Sequence, residues 1–199
     1  MKKLVSLLLI FIALTLTGCT AVRIDTSDID NIVDVVLSKD NSLYNHIGKG
    51  YKYYIPRGVT YIDTIEFNDR LYSDGKYYYL YIDAIGYYYQ KDLVHEKNKD
   101  SIYYKKLDIN NKHGYIDIVK QKDKYLVEFM YNYARIETLV KKEEINKVIL
   151  NSSYILSTVK FNNNVIKIML DEDYFKYKEE KFELFEKTEE KENVLEYSE

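Results

Sequence analysis

One cysteine, one proline, seven glycines and no tryptophan occur in the 199 residues of this chain. A single thiol cannot form an intrachain disulfide, so packing rather than covalent staples must hold the fold. The shortage of proline and glycine argues against a disordered chain or a flexible stalk over most of the length. A basic cluster is missing as well. The 29 basic residues stand against 32 acidic ones, a net charge of −3, and such a near-neutral body gives no support for nucleic-acid binding. The sequence has no G-x-S-x-G elbow, no P-loop, no H-E-x-x-H and no C-x-x-C, so the usual anchors of hydrolase, nucleotidase and thiol chemistry are absent. His46, His95 and His113 fall in expected loops without metal-ligand spacing, so no metal or other cofactor is expected.

What is present begins at the N-terminus. Lys2 and Lys3 precede an apolar run from Leu4 to Leu14, and Leu16-Thr17-Gly18-Cys19 closes the segment. As a helix this run reaches only ~16 to 21 Å, short of the ~30 Å hydrocarbon core of a bilayer, so a permanent membrane span is not expected. The order of charge, apolar stretch and small residues is that of a secretory leader. With Cys19 in place, it resembles the signal peptide and lipobox of bacterial lipoproteins. That resemblance implies removal of residues 1–18 by cleavage between Gly18 and Cys19, and a diacylglyceryl group on the Cys19 sulfur. It also implies an address on the extracytoplasmic face of a cell membrane. Two acyl chains anchor stably where one binds only marginally. Thr20 follows the cysteine, so the aspartate that retains such proteins at the inner membrane of two-membrane bacteria is absent.

Composition adds a source and a charge map. Twenty-three tyrosines, together with many lysines, isoleucines and asparagines, point to an AT-rich genome. A Gram-positive, Firmicutes-like cell with a single membrane fits. The acidity sits at the end of the chain, where residues 171–199 hold 12 acids against 5 lysines. The expected organisation is a leader at 1–18, a lipidated cysteine and short tether at 19–27, a globular domain at 28–175 and an acidic extension at 176–199. The eight residues from Thr20 to Ser27 reach at most roughly 28 Å.

Periodicity supplies the elements. Thr26 or Ser27 is placed to cap a helix whose first turn carries Asp28 and Asp30, with Ile29, Ile32, Val33 and Val36 along one face and an end near Lys39-Asp40-Asn41. A short strand is expected from Tyr51, stopped by Pro56. Val59 to Leu71 reads as one strand. Ser73-Asp74-Gly75 signals a hairpin whose return strand runs from Lys76 to Gln90, with a bulge at Gly86. Further strands are expected at 102–108, 114–119 and 124–131, joined by the loops Asn110–Gly114 and Lys120–Asp123. Ile136, Leu139, Val140, Ile145, Val148 and Ile149 suggest a long helix over 136–157. A short apolar segment follows at Val165 to Leu170, and Phe182 to Phe185 suggests a last strand. The fold class is α+β: one domain with a curved antiparallel sheet of about five to seven strands packed against an N-terminal helix and a long late helix. Gly48 to Gly58 and the helix leading into Ile155 to Phe161 are loosely similar to the Mog1/PsbP-like group, which includes bacterial lipoproteins. That likeness implies architecture and transfers no catalytic residue.

Tyrosine is the candidate for a site. On the strand from Lys76, alternation sends Tyr78, Leu80 and Ile82 to the core and Tyr77, Tyr79 and Tyr81 to the other face, an aromatic ladder able to stack on sugars or on a protein. Tyrosine also suits half-buried strands for purely structural reasons. Asp63, Asp83 and Glu66 are candidates for a carboxylate pair across the sheet, with a solvated face as the simpler reading. Asp171-Glu172-Asp173 lacks the remainder of a calcium loop. These readings lead to an expected membrane-anchored module without catalysis that binds an envelope protein or glycan. A small-ligand binder serving a transporter or sensor is the alternative, and an envelope hydrolase a third.

Overall fold

The computed structural model describes residues 24–65 and 67–171. Gly18, Cys19, the leader, Glu66, the end of the Asp171-Glu172-Asp173 run, the strand expected at Phe182 to Phe185 and the acidic extension lie outside the described residues. In chain order the elements are α1 (Ile29–Leu37), β1 (His46–Ile47), β2 (Tyr51–Tyr53), β3 (Thr60–Ile65), β4 (Asn68–Ser73), β5 (Lys76–Ile82), α2 (Ala84–Tyr88), β6 (Ser101–Ile109), β7 (Lys112–Gln121), β8 (Lys124–Tyr131), β9 (Ala134–Val140), α3 (Ile145–Ser157), β10 (Lys160–Phe161) and α4 (Asn163–Asp171). Seven strands form one antiparallel sheet in the order β3-β4-β5-β9-β8-β7-β6, and β1-β2-β10 form a small second sheet. The class is α+β in a single domain, with an early and a late helix.

α1 shows how local chemistry sets the frame. Asp28, not Thr26 or Ser27, is the cap: its carboxylate accepts the amide of Asp30 at 3.1 Å. Ser27, one residue earlier, turns instead to Asp25 Oδ1, to which its amide and hydroxyl donate at 2.9 and 2.6 Å. The helix ends at Leu37 and buries Ile32, Val33, Val36 and Leu37. It packs on α3, which in turn lies on β8 and β9. Between helices and sheet sit Leu71, Leu80, Ile116, Val127, Phe129, Ile136, Ile149 and Leu156. Burying each such side chain contributes ~1.5 to 3 kcal/mol before the entropy of ordering is subtracted.

Three hairpins of the large sheet turn on two residues in the left-handed region. Asp74 and Gly75 have φ 48° and 81°, and Asn110 and Asn111 have 54° and 57°. Such turns match the twist of antiparallel strands, and Gly and Asn reach that region at least cost. Because Asn110 and Asn111 form the entire turn, β7 starts at Lys112, not at 114. The third turn, Asn132-Tyr133 with φ 52° and 60°, carries no glycine and gives no signal in the sequence. It sends β9 back along β8, so residues 134–140 are strand, and α3 occupies only the second half of the helix expected over 136–157.

Two further expectations are corrected. Val59 to Leu71 is a hairpin of two strands, with Ile65 opposite Asn68. Lys76 to Gln90 is not one strand with a bulge, because pairing stops at Ile82. Asp83 Oδ1 then accepts the Gly86 amide at 2.7 Å and caps the short helix α2. The apolar segment after Phe161 is also helical, as α4. No helix among the described residues is long and apolar enough to cross a membrane.

Candidate functional site

One face of the large sheet meets α1 and α3, and among the described residues no helix packs on the other. Alternation on β5 divides its residues between them: Tyr78, Leu80 and Ile82 are buried under the helices, while Tyr77 is 46% exposed and Tyr79 and Tyr81 are half-buried on the opposite side. Cross-strand register continues this side into a single row that spans all seven strands. Asp63 stands opposite Arg70, Arg70 opposite Tyr79, Tyr79 opposite Glu137, Glu137 opposite Glu128, Glu128 opposite Asp117 and Asp117 opposite Tyr104. A neighbouring row runs Asn68, Tyr81, Arg135, Met130, Tyr115, Lys106.

Charge in the central row is nearly covered yet satisfied. Arg135 reaches Glu128 at 3.4 Å and Glu137 at 3.2 Å, and its guanidinium lies 5.7 Å from the centre of the Tyr81 ring. Burial opposes the Arg135 charge, but Glu137 and Glu128 outweigh it and hold its pKa above the ordinary value. The Tyr115 hydroxyl donates to Glu128. Burial first, and then the Glu128 charge, push the Tyr115 hydroxyl pKa up. Toward the edge, Arg70 pairs with Asp63 through two nitrogens, one of them at 2.6 Å, and lies 6.0 Å from the Tyr77 ring. Tyr72 meets Tyr77 edge-on with centroids 5.3 Å apart. Tyr77 and Tyr79 also border a hollow of about 390 Å³ with Lys76, Lys124, Leu139 and Lys141.

At the far end of the row, Asp117 ties the segment 89–100 to the sheet. It is 2% exposed, accepts from the Ser101 hydroxyl and the Asn98 amide, and lies 3.2 Å from His95 Nε2. His95 stacks on Tyr115 with centroids 3.6 Å apart. Serine, histidine and aspartate meet here, but not as a nucleophile relay. That chemistry needs the histidine between the other two, whereas here the aspartate is central and holds both partners directly.

A second buried carboxylate lies in the core. Asp69, with no exposed surface, accepts hydrogen bonds from Tyr51 at 2.9 Å, Tyr53 at 2.8 Å and Thr64 at 2.5 Å, and His46 Nε2 lies 3.6 Å away. Burial, and next the Asp69 charge, raise the pKa of both tyrosines. The tyrosine clusters therefore divide. Tyr51, Tyr53, Tyr78 and Tyr131 are core, whereas Tyr72, Tyr77, Tyr79, Tyr81, Tyr104 and Tyr115 line the helix-free face.

The remaining candidates separate in space. Asp63 is taken by Arg70 and Asp83 caps α2, so they form no carboxylate pair. His46 lies in β1 and His113 in β7, not in loops; His95 alone lies between elements, in the segment before β6. Among the described residues no group of histidine, cysteine and acidic side chains is placed to hold a metal ion. Sequence reading missed Asp69, Asp117, Glu128 and Arg135. One signal was available: Asp69 shares its strand parity with Leu71, so alternation alone sends it inward.

These features define a single α+β domain whose large sheet carries an aromatic and charged row on the face away from α1 and α3. Comparison with protein families, with curated proteins and with solved structures finds no match.

Proposed function

We propose that this protein is an extracytoplasmic lipoprotein, anchored through a lipid on Cys19, and that it works as a non-catalytic binding module for a protein or glycan partner of the cell envelope. The reading is supported by the sheet face away from α1 and α3, where Tyr72 and Tyr77 are exposed beside the half-buried Tyr79 and Tyr81 and the partly exposed Arg70–Asp63 pair. Aromatic rings offer contact area at little entropic cost, and flanking charges supply directed hydrogen bonds, the pairing of features typical of recognition surfaces. The lipobox resemblance supports the address. The test is Tyr77→Ser with Tyr79→Ser and Tyr81→Ser in one chain, assayed for sedimentation with isolated cell walls and for co-purification of envelope proteins. Expected is loss of saturable binding in one of the two assays while the domain still melts cooperatively. Binding equal to wild type in both would refute the role of this face.

A further inference from the structure

A cavity of about 710 Å³ lies on the small sheet and in the segments that flank it. Three lysines line it, Lys49, Lys52 and Lys160, with Ile47, Val165 and Met169 as apolar wall; no carboxylate of the described residues contributes. Gly50 takes φ 80° so that the turn between β1 and β2 passes against Ile166.

The register of the small sheet pairs two of these lysines. Lys160 on β10 stands directly opposite Lys52 on β2, and Ile47 on β1 stands opposite Lys52 on its other side. Directly opposed residues have Cβ atoms about 4.5 to 5.5 Å apart, and like charges at that spacing destabilise the ladder. Among the described residues neither ammonium has a carboxylate within ion-pair distance. Lys52 instead lies 3.8 Å from the centre of the Tyr44 ring, which orients the ammonium without neutralising it. The first turn of α4 adds positive potential at the same mouth. Its amides are in use, since Asn162 Oδ1 accepts from Asn164 at 3.2 Å and Val165 at 3.3 Å. Two opposed lysines with no described carboxylate beside them make the approach of an anion electrostatically favourable. Lysine ammonium groups bind phosphate as point charges.

We propose that this cavity binds a phosphate ester, with the anionic group between Lys52 and Lys160 and the organic part against Ile47, Val165 and Met169. The site is separate from the tyrosine face and does not depend on its role.

The test is calorimetric titration of the full chain with glycerol 3-phosphate and, separately, with a short-chain phosphatidylglycerol kept below its micelle concentration. Saturable binding of either is expected, weakened roughly tenfold or more by Lys52→Gln and by Lys160→Gln and unchanged by Lys99→Gln on a distant loop. Binding of glycerol 3-phosphate identifies a soluble ester as sufficient; binding of the lipid analogue alone identifies a headgroup with its acyl chain. Without ligand, Lys160→Gln should melt at or above the wild-type temperature, because it removes the repulsion. If either variant fails to fold, amide shifts of the wild-type chain decide instead: perturbation confined to residues 48–52 and 160–165 is expected. No binding of either probe, binding that survives both lysine substitutions, or shifts centred elsewhere would overturn the assignment.

Discussion

Tyr53 donates its hydroxyl proton to Asp69 at 2.8 Å, and neither side chain has any exposed surface. A carboxylate in the core is tolerable only when its oxygens are occupied, and Tyr51, Tyr53 and Thr64 occupy them. Tyr53→Phe keeps the ring and deletes one donor, so it should cost about 1 to 3 kcal/mol in urea unfolding. Asp69→Leu should cost more, because two buried tyrosine hydroxyls then lose their acceptor.

Alkaline pH tests the same burial through protonation. Burial and nearby carboxylates raise the pKa of Tyr51, Tyr53 and Tyr115, and Tyr131 is pushed up to about 12 by burial first and then Asp108. Unfolded tyrosines titrate near ~10. The folded state therefore holds these groups neutral after the unfolded chain has begun to ionise. Their contribution is complete below pH ~10 and is lost as pH rises through the folded values. Absorbance titration should resolve an early phase from exposed tyrosines and a late one that coincides with unfolding by circular dichroism. A single phase at the ordinary value would contradict the burial.

Arg135 is the cation that holds Glu128 and Glu137 in the central row. Its removal takes the cation from between two nearly buried carboxylates, so Arg135→Met should destabilise by about 3 to 5 kcal/mol. Adding Glu128→Gln and Glu137→Gln to Arg135→Met should restore part of that loss, measurable by chemical denaturation.

Gly114 lies in β7 where a Cβ would run into the backbone of Met130 on β8. Rigid backbone cannot yield as a side-chain tip can. Gly114→Ala should cost about 1 to 3 kcal/mol and displace the β7–β8 pairing, seen as faster amide exchange in both strands.

What the sequence made legible were the features with one local cause. Alternation on β5 separates Tyr78, Leu80 and Ile82 from Tyr77, Tyr79 and Tyr81, and Ser73-Asp74-Gly75 marks its turn. Residues 134–140 misled because Ile136, Leu139 and Val140 fit a helical stripe, whereas the burial of Ala134, Ile136, Thr138 and Val140 follows a strand. Nothing in Asn132-Tyr133 announced the turn that decides between them. The central row escaped for another reason. Asp63, Arg70, Tyr79, Glu137, Glu128, Asp117 and Tyr104 come from seven strands, and only pairing register brings them into line.

The proposed anchor has its own test. Cys19→Ala should move the protein from the membrane fraction to the soluble fraction and should abolish the mass increment of a diacylglyceryl group. Unchanged fractionation and unchanged mature mass would remove the lipid from the account.

In the proposed reading the partner is met on the sheet face away from α1 and α3. A photoreactive amino acid placed at position 77, and in a separate chain at position 39 beyond α1 on the helical side, tests this in intact cells. Adducts to an envelope protein or glycan from position 77, and none from position 39, are expected. Adducts from position 39 alone would place the binding surface on the helices and contradict the proposal.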